Sequence, residues 1–193
     1  INSPVQITRV EVWVTNRSNQ TDDVRNIVAL QDLGESNPAK IGSAVNITAG
    51  PNAYPDNTNN AYDPTNIGGG GSQITNAIRD IATVQTGILV PGINEGFDYG
   101  KLENARKLQE GSEFTLNTQL GYVSLNQRLL NDEILAVAYQ FTVGNQVYQV
   151  GEFANDGVDA TDVTNVSGNT VVTNNSLILK MLKSTVTNVD EPI

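Results

Sequence analysis

The chain has 193 residues, with 11 basic and 21 acidic side chains that give a formal net charge of −10 at pH 7. It offers no basic stripe for phosphates, which argues against nucleic acid and against an anionic membrane surface as partners. Cysteine and histidine are both absent, which excludes disulfides, thiol chemistry, the serine–histidine–aspartate arrangement and most zinc sites. Carboxylate chemistry, lysine chemistry and binding of hard cations by oxygen atoms remain open.

The polarity of the chain comes from uncharged side chains, because charged residues make up only 17% of it. Asparagine and glycine favour turns, whereas threonine and valine favour strands, so a strand-and-loop protein is predicted. The chain begins with isoleucine, and no apolar run is long enough to span a bilayer as a helix. We expect residues 1–193 to be a single soluble extramembrane domain of a longer chain, without direct membrane insertion.

Two strand patterns lie near the start of the chain. Ile7–Val14 alternates strictly, with three valines on one face and Arg9, Glu11 and Trp13 on the other. Arg25–Leu30 is apolar on both faces, which predicts a strand at the centre of a sheet.

Residues 36–71 form the first long polar stretch, dominated by Asn, Pro, Gly, Ala and Thr. A loop of this length inside a compact domain is unusual and indicates a functional or mobile segment. It ends in four consecutive glycines, Gly68–Gly71, directly before a predicted helix. A glycine loop in this place can cradle an anion, but the GxxxxGK[ST] pattern is absent, and a flexible hinge is the preferred interpretation.

Two helices are predicted in the middle of the chain. Residues Ser72–Gln85 carry five apolar side chains at the spacing i, i+3, i+4, i+7, i+8, which is typical of an amphipathic helix. Arg79 and Asp80 fall outside this stripe and are expected to be exposed to solvent. Residues Asp98–Gln109 predict a second, less regular helix.

A β-hairpin is predicted in the second half of the chain. The apolar run Ile134–Val143 is followed by Gly144-Asn145 and by the alternating run Val147–Phe153. With a two-residue turn, one face carries the aromatic and β-branched side chains, and we expect it in the core: Val137, Tyr139, Phe141, Tyr148 and Val150. On this assignment Phe141→Ala should destabilise the fold by about 3–5 kcal/mol. The opposite face, with Ala136, Ala138 and Gly151, is small and flat and permits close approach of another layer.

Further strands are predicted at residues 113–120, 122–125 and 176–184. In the last of these, Lys180 and Lys183 mark a sheet edge or snorkel to solvent. Residues 154–175 form a second long polar loop, and residues 185–193 form a linker stub. The predicted fold class is α+β, a mainly antiparallel sheet or sandwich with two helices and long polar loops.

Three carboxylates, Asp156, Asp159 and Asp162, lie close together in the second polar loop. Such a group can ligate Ca²⁺ through its oxygens. The spacing differs from the EF-hand pattern, however, and a solvated acidic loop is the preferred interpretation. No cofactor is predicted.

Three aromatic residues are candidates for an interaction site. Trp13, the only tryptophan, is either an exposed ligand platform or packed under a neighbouring loop or domain, and packing is preferred. Tyr54 and Tyr62 lie in the first polar loop, where they could contact a sugar or a protein.

Two pairs of carboxylates could in principle serve glycoside hydrolysis, which needs two acids facing each other across a cleft. They are Asp32 with Glu35 and Asp132 with Glu133. Each pair lies in a turn at a strand end, where acids commonly cap backbone N–H groups. No enzyme activity is therefore predicted.

Five segments of the chain resemble one family, the SprA/Sov translocons of Bacteroidetes: Val10–Asn16, Asn26–Glu35, Leu120–Phe141, Tyr148–Phe153 and Leu177–Ser184. These are very large outer-membrane proteins of type IX secretion and gliding motility. The resemblance implies a non-enzymatic domain inserted between the strands of the parent outer-membrane barrel. It places the chain in the cell envelope, associated with the outer membrane, on the periplasmic or the cell-surface side.

The resemblance also implies the partners: the rest of the parent barrel, a companion outer-membrane shuttle barrel, a periplasmic plug protein and secreted cargo. The expected function is that of a non-catalytic structural or interaction domain of such a translocon. The alternative is a surface β-sandwich module that binds glycan or protein through residues 36–71 and 154–175.

Overall fold

The computed structural model describes residues 5–31, 33, 67, 74–89, 91–166 and 168–186. Within these residues the regular structure is ten strands and two short 3-10 helices, with no α-helix. The strands are β1 Val5–Val14, β2 Val24–Leu30, β3 Tyr99–Lys107, β4 Phe114–Asn117, β5 Tyr122–Leu125, β6 Leu135–Val143, β7 Gln146–Val150, β8 Thr161–Val166, β9 Asn169–Asn174 and β10 Leu177–Lys183. The 3-10 helices are Asn76–Arg79 and Val84–Gly87. None of the helices in the described ranges has the length and hydropathy needed to cross a bilayer.

Five strands close into a ring of paired neighbours, in the order β1, β3, β2, β10, β6 and back to β1. All of these pairings are antiparallel except that of β10 with β2, which is parallel. The β1–β6 pairing extends along the whole of both strands, whereas β1 meets β3 only at Trp13 and Val14. Strand β7 extends the sheet, because the second edge of β6 pairs with β10 near its start and with β7 near its end.

Apolar side chains from all five strands fill the interior of this ring. Four alanines occur among them, since a closed ring of so few strands leaves little interior volume. At Gly100 a Cβ atom would lie 2.8 Å from Ile134 Cδ1, so a larger residue there would force the Ile134 side chain to move. The buried interior residues are Trp13, Ile27, Ala29, Leu102, Ala105, Ile134, Ala136, Ala138, Phe153, Leu177, Leu179 and Met181.

Two segments of the chain pack against the outer surface of the ring and bury parts of it. The segment that contains the 3-10 helices packs Ile74, Ile78 and Val84 against Val28 and Ile178. On another part of the ring, the β4–β5 hairpin packs against β1 and β6 through a second apolar cluster. A strand that is buried on both faces has a continuous run of apolar residues in its sequence, which accounts for the apolar run in β2. Its predicted position inside the sheet is confirmed.

The predicted helix at residues 72–85 is wrong. Residues 74–89 double back on themselves, with Ile74 bridged to Ile88 and the Thr75 N–H donating to the Gly87 carbonyl at 2.8 Å. A Cβ atom on Gly87 would lie 2.3 Å from the Ile78 nitrogen. This close approach of two backbone segments competes with a continuous helix, and it is available only because residue 87 is glycine.

The predicted helix at residues 98–109 is also wrong, because this segment forms β3. A β-bulge explains the helix-like spacing: Glu103 and Asn104 together oppose Asn26, so Leu102 and Ala105 both point inward. Asn104 has φ of 48°, a conformation that asparagine tolerates better than most residues. The bulge turns the two-residue repeat of a strand into a three-residue spacing.

The β6–β7 hairpin is confirmed, with Phe141 opposite Tyr148 and Tyr139 opposite Val150. The same register continued would place Val137 opposite Glu152, but β10 takes that place and pairs its Lys180 with Val137. The strands predicted at residues 113–120, 122–125 and 176–184 are confirmed as β4, β5 and β10, within a few residues of their predicted ends.

The faces of the hairpin differ from the expectation. The small-residue face lies inside the ring, where Ala136 and Ala138 are fully buried. On the aromatic face Val137, Tyr148 and Val150 are buried as expected, while Tyr139 and Phe141 are only half-buried. Both faces thus contribute to cores, and the flat face is the more deeply buried one.

Strand β10 lies between β2 and β6, so its lysines do not mark a sheet edge. Lys183 instead extends its amine to the carbonyl oxygens of Asn131 at 3.0 Å and Glu133 at 2.7 Å. The β-rich fold is confirmed, but it is a mixed sheet without the two helices. The second polar stretch also departs from a loop, since it contains the β8–β9 hairpin. Of the first polar stretch, residues 36–71, the structure describes only residue 67.

Phe141→Ala should reduce the free energy of unfolding by about 1–2 kcal/mol, less than the sequence alone suggests, because the ring is only half-buried. Val147→Ala is the matched control on the opposite face of the hairpin. Its side chain is 56% exposed, and the loss should stay within about 0.5 kcal/mol. Chemical denaturation of the three proteins measures both values. Equal losses would contradict the assignment of the faces.

Candidate functional site

The three candidate calcium ligands do not form a cluster. Asp156 pairs with Arg9 at 3.0 Å, and Asp162 lies on the exposed strand β8. The backbone oxygen of Asp159 accepts a bond from Asn175 at 3.2 Å. In the described ranges, which omit residues 34–66 and 68–73, no group of three His, Cys, Asp or Glu side chains could hold a metal ion.

The candidate catalytic acids are engaged in local contacts. Asp132 forms an ion pair with Arg17, and Glu133 lies 3.8 Å from the same guanidinium. The second carboxyl oxygen of Glu133 accepts the N–H of Leu130 at 2.7 Å, which is the capping role expected of an acid in a turn. Asp32 and Glu35 lie outside the described residues, as do Tyr54 and Tyr62.

Trp13 is 1% exposed and lies inside the ring. Its indole N–H donates to Glu11 at 3.4 Å, and the amine of Lys107 lies 5.8 Å from the centre of the ring system. Trp13 is thus packed in the interior rather than exposed at the surface.

Glu11 is the centre of a charged group at this end of the ring, although its side chain is only 4% exposed. It accepts bonds from Lys107 at 2.7 Å and from the N–H of Ala154 at 3.0 Å. Arg9 lies 3.7 Å away, and its guanidinium covers the face of Phe153 at 3.8 Å. The buried carboxylate is thereby fully paired, and it ties β1, β3 and the segment after β7 together.

A second buried ion pair fastens the 3-10 segment to the ring. Arg79 meets Glu152 through two parallel contacts, at 2.5 and 2.6 Å, and also donates to the Ser176 carbonyl at 3.0 Å. Glu152 accepts the N–H of Ile178 at 2.8 Å. Such a bidentate geometry is the strongest form of a side-chain ion pair. The expectation that Arg79 is solvated is wrong.

Arg25 holds the base of the second polar stretch. Its guanidinium donates to the carbonyl of Ala154 at 3.0 Å and lies 3.5 Å from the carbonyls of Val158 and Asn175. Burial lowers the pKa of Arg25, while the carboxylate of Glu152 acts in the opposite direction. The residues just before β8 and just after β9 are thus fixed by one cation inside the fold.

A small cleft opens between the ring and the β4–β5 hairpin, lined by Val14, Arg106, Glu113, Arg128 and other residues. Arg106 forms an ion pair with Glu113 inside it. Burial raises the pKa of Glu113, but the N–H of Gln109 and the guanidinium of Arg106 outweigh burial and hold that pKa below its usual value. This acid stays ionised at neutral pH and is unsuited to donate a proton.

The buried charges Glu11, Arg79 and Glu152 therefore connect distant segments of the fold. Sequence reasoning missed both buried ion pairs, since their members are far apart along the chain. One signal was available for Glu152, which stands between Gly151 and Phe153 at the end of a strand pattern. An acid in such a position needs a cation, and only 11 basic residues could supply one.

Comparison with known proteins identifies the family. A family model described as SprA_N, motility related/secretion protein, matches residues 1–127. The chain belongs to this family. SprA_N is a motility and secretion family rather than an enzyme family. No curated protein matches the chain.

The SprA_N match ends before β6, yet the ring depends on strands that lie beyond residue 127. Strand β1 pairs with β6 over its whole length, and β2 pairs with β10. Residues 1–127 alone would leave both strands with exposed hydrogen-bonding edges and would uncover Trp13 and Ile27. The folding unit therefore extends beyond the matched residues.

A truncated protein of residues 1–127 should not fold. We expect far-UV circular dichroism without a cooperative thermal transition, and dye binding that reports exposed apolar surface. The chain of 193 residues is the control and should unfold in one transition. A cooperative transition in the truncated protein would show that the ring is dispensable.

Arg79→Met should destabilise the fold by about 3–5 kcal/mol, because it leaves the Glu152 carboxylate buried without its partner. Arg79→Met combined with Glu152→Leu should recover much of this loss. Arg17→Met is the control at an exposed pair and should cost less than about 1 kcal/mol. Urea denaturation supplies all three values. A double variant as unstable as the single one would contradict the role of the pair.

Proposed function

We propose that the chain is a non-catalytic interaction domain of a SprA-like outer-membrane translocon that supports type IX secretion and gliding motility. The SprA_N match over residues 1–127 is the observation that carries the proposal. The packed ring supports it, because its interior is filled with apolar side chains and its buried acids Glu11 and Glu152 are paired. Such a core stabilises a rigid platform.

The resemblance of five segments to SprA/Sov proteins suggests the context. The domain would sit in the cell envelope between strands of the parent barrel. Its partners would be the parent barrel itself, a companion shuttle barrel, a periplasmic plug protein and secreted cargo. A net charge of −10 favours partner surfaces that are neutral or basic.

Recognition of a protein or glycan through residues 36–71 and 154–175 is the second candidate. The exposed β8–β9 hairpin favours its protein-binding form. The burial of Trp13 removes an aromatic platform that the glycan-binding form could use. A glycan array probed with the chain of 193 residues tests that form, and specific binding to one sugar class would support it.

Replacement of residues 5–186 by a short flexible linker in the parent protein tests the proposed role. In a gliding bacterium with type IX secretion, we expect loss of cargo from the medium and loss of spreading on agar. The parent protein should still be found in the envelope fraction by immunoblot. Val147→Ala in the same parent is the control. Normal secretion and spreading without the domain would refute the proposal.

A further inference from the structure

We infer that the free edge of strand β9 is a docking site for one extended, non-acidic strand of a partner polypeptide, which binds by β-strand addition. Among the strands of the described residues, β8 and β9 pair with each other alone and form a separate two-stranded sheet. Their side chains are exposed from Thr161 to Asn165 and from Asn169 to Asn174, except for the half-buried Thr173. This pair of strands, here called the arm, stands away from the ring.

The base of the arm is anchored. The N–H of Asn175 donates to the Ala160 carbonyl at 2.9 Å, and Asp80 forms a β-bridge with Asn175. Arg25 holds the adjoining carbonyls of Val158 and Asn175. The arm is thus presented in a defined direction by the folded body, which reduces the entropy lost when a partner binds.

The backbone groups on the free edge follow from the register. The strands pair from Thr161↔Asn174 to Val166↔Asn169 without a shift. Because the Asn175 N–H bonds to Ala160, every second pair from there exchanges hydrogen bonds, and the pairs between them point outward. On β9 the outward N–H and C=O groups belong to Thr170, Val172 and Asn174. At Asn174 this edge meets the segment that carries Asp80, so Thr170 and Val172 are the free positions.

The β9 edge lacks the features that natural proteins use to block edge-to-edge pairing. Proline, lysine, an inward charge or a bulge commonly protects an exposed edge. Residues 169–174 read NTVVTN and contain none of these, and their register is unbroken. Strand β8 carries one charge, Asp162, so the β9 edge is the more favourable of the two.

The arm also presents apolar surface beside this edge. Val172 is 60% exposed, and its cross-strand neighbour Val163 is 58% exposed. A third strand on the β9 side would cover Val172 with side chains of its own at alternate positions. A two-stranded hairpin is marginally stable in water, and a third strand stabilises it. We therefore expect β-branched residues at alternate positions of the partner.

The net charge of the chain favours a different polypeptide, rather than a second copy of this chain, as the occupant of the β9 edge. Each copy carries a net charge of −10, so two copies repel one another. A strand without acidic residues meets no such penalty, and the arm itself contains only Asp162 as a charged side chain. The occupant is therefore a strand of a different polypeptide, neutral or basic in character.

A labelled model strand tests the site on the 193-residue chain. The probe is an end-capped octapeptide that alternates threonine and valine and has one lysine at each end, with fluorescein attached. Binding is measured by fluorescence anisotropy at two salt concentrations. Amide hydrogen exchange should show added protection at Thr170 and Val172 when the peptide is present. An alternating serine–glycine peptide with the same lysines controls for charge attraction.

Two proline variants form a matched pair. Val172→Pro removes the outward N–H of the β9 edge, while Val163→Pro removes its counterpart on the β8 edge. Proline is tolerated where the strand N–H faces solvent, so the hydrogen bonds inside the arm remain. Val172→Pro should raise the dissociation constant of the peptide at least about tenfold, and Val163→Pro less than about twofold. Thermal unfolding of each variant checks that the ring is intact.

The outcomes separate clearly. Binding that Val172→Pro abolishes and Val163→Pro preserves supports the site, as does protection at the amides of Thr170 and Val172. Equal binding of the serine–glycine peptide, equal loss in both variants, or protection on β8 alone would overturn it. A dimer in sedimentation that Val172→Pro dissolves would overturn the choice of partner in favour of a second copy.

This inference rests on the proposed interaction role and specifies its surface, yet it can fail separately. The peptide measurements need no secretion machinery. If the linker replacement blocks secretion but Val172→Pro in the parent does not, the domain is needed and the β9 edge is not its docking site. If the linker replacement leaves secretion unchanged while the peptide binds as expected, the edge is real and the translocon role is wrong.

Discussion

The structure depends on strand β10 lying between β2 and β6. It supplies the one parallel pairing of the ring and an antiparallel pairing on its other side. Leu177 and Leu179 project into the interior, while Ile178 packs outward against the 3-10 segment. Without β10 the hydrogen-bonding edges of β2 and β6 would be unpaired. The two apolar clusters would also lose the β10 side chains that pack in each of them. Central strands of this kind concentrate both hydrogen bonding and apolar burial.

The two buried acids, Glu11 and Glu152, also connect distant segments of the ring. Glu11 and Glu152 each bind a cation from a distant part of the chain and also accept a backbone N–H. A buried ion pair contributes little net stability when compared with apolar side chains, but half of such a pair is costly. The pairs therefore fix which segments meet, so that Lys107 meets β1 and Arg79 meets the end of β7.

Local patterns were sufficient to predict some elements of the fold and not others. The β6–β7 hairpin follows from Gly144-Asn145 between two apolar runs, and β2 follows from its two apolar faces. Residues 99–107 could not be recognised as a strand, since the bulge at Asn104 gives Leu102 and Ala105 a helical spacing. The close approach of Gly87 to Ile78 arises only when the chain folds, so the local sequence does not reveal it. Arg79 finds Glu152 only after closure of the ring, and no local pattern encodes this contact.

The position of β10 has a consequence for how the chain reaches its native state. Its residues 177–180 pair with residues 27–30, which lie near the other end of the sequence. Folds dominated by such distant contacts gain little from early local structure and fold slowly. The ring can close only after the last strand has arrived, so earlier segments expose apolar strand edges until then. Until β10 docks, these exposed edges leave the folding chain prone to aggregation.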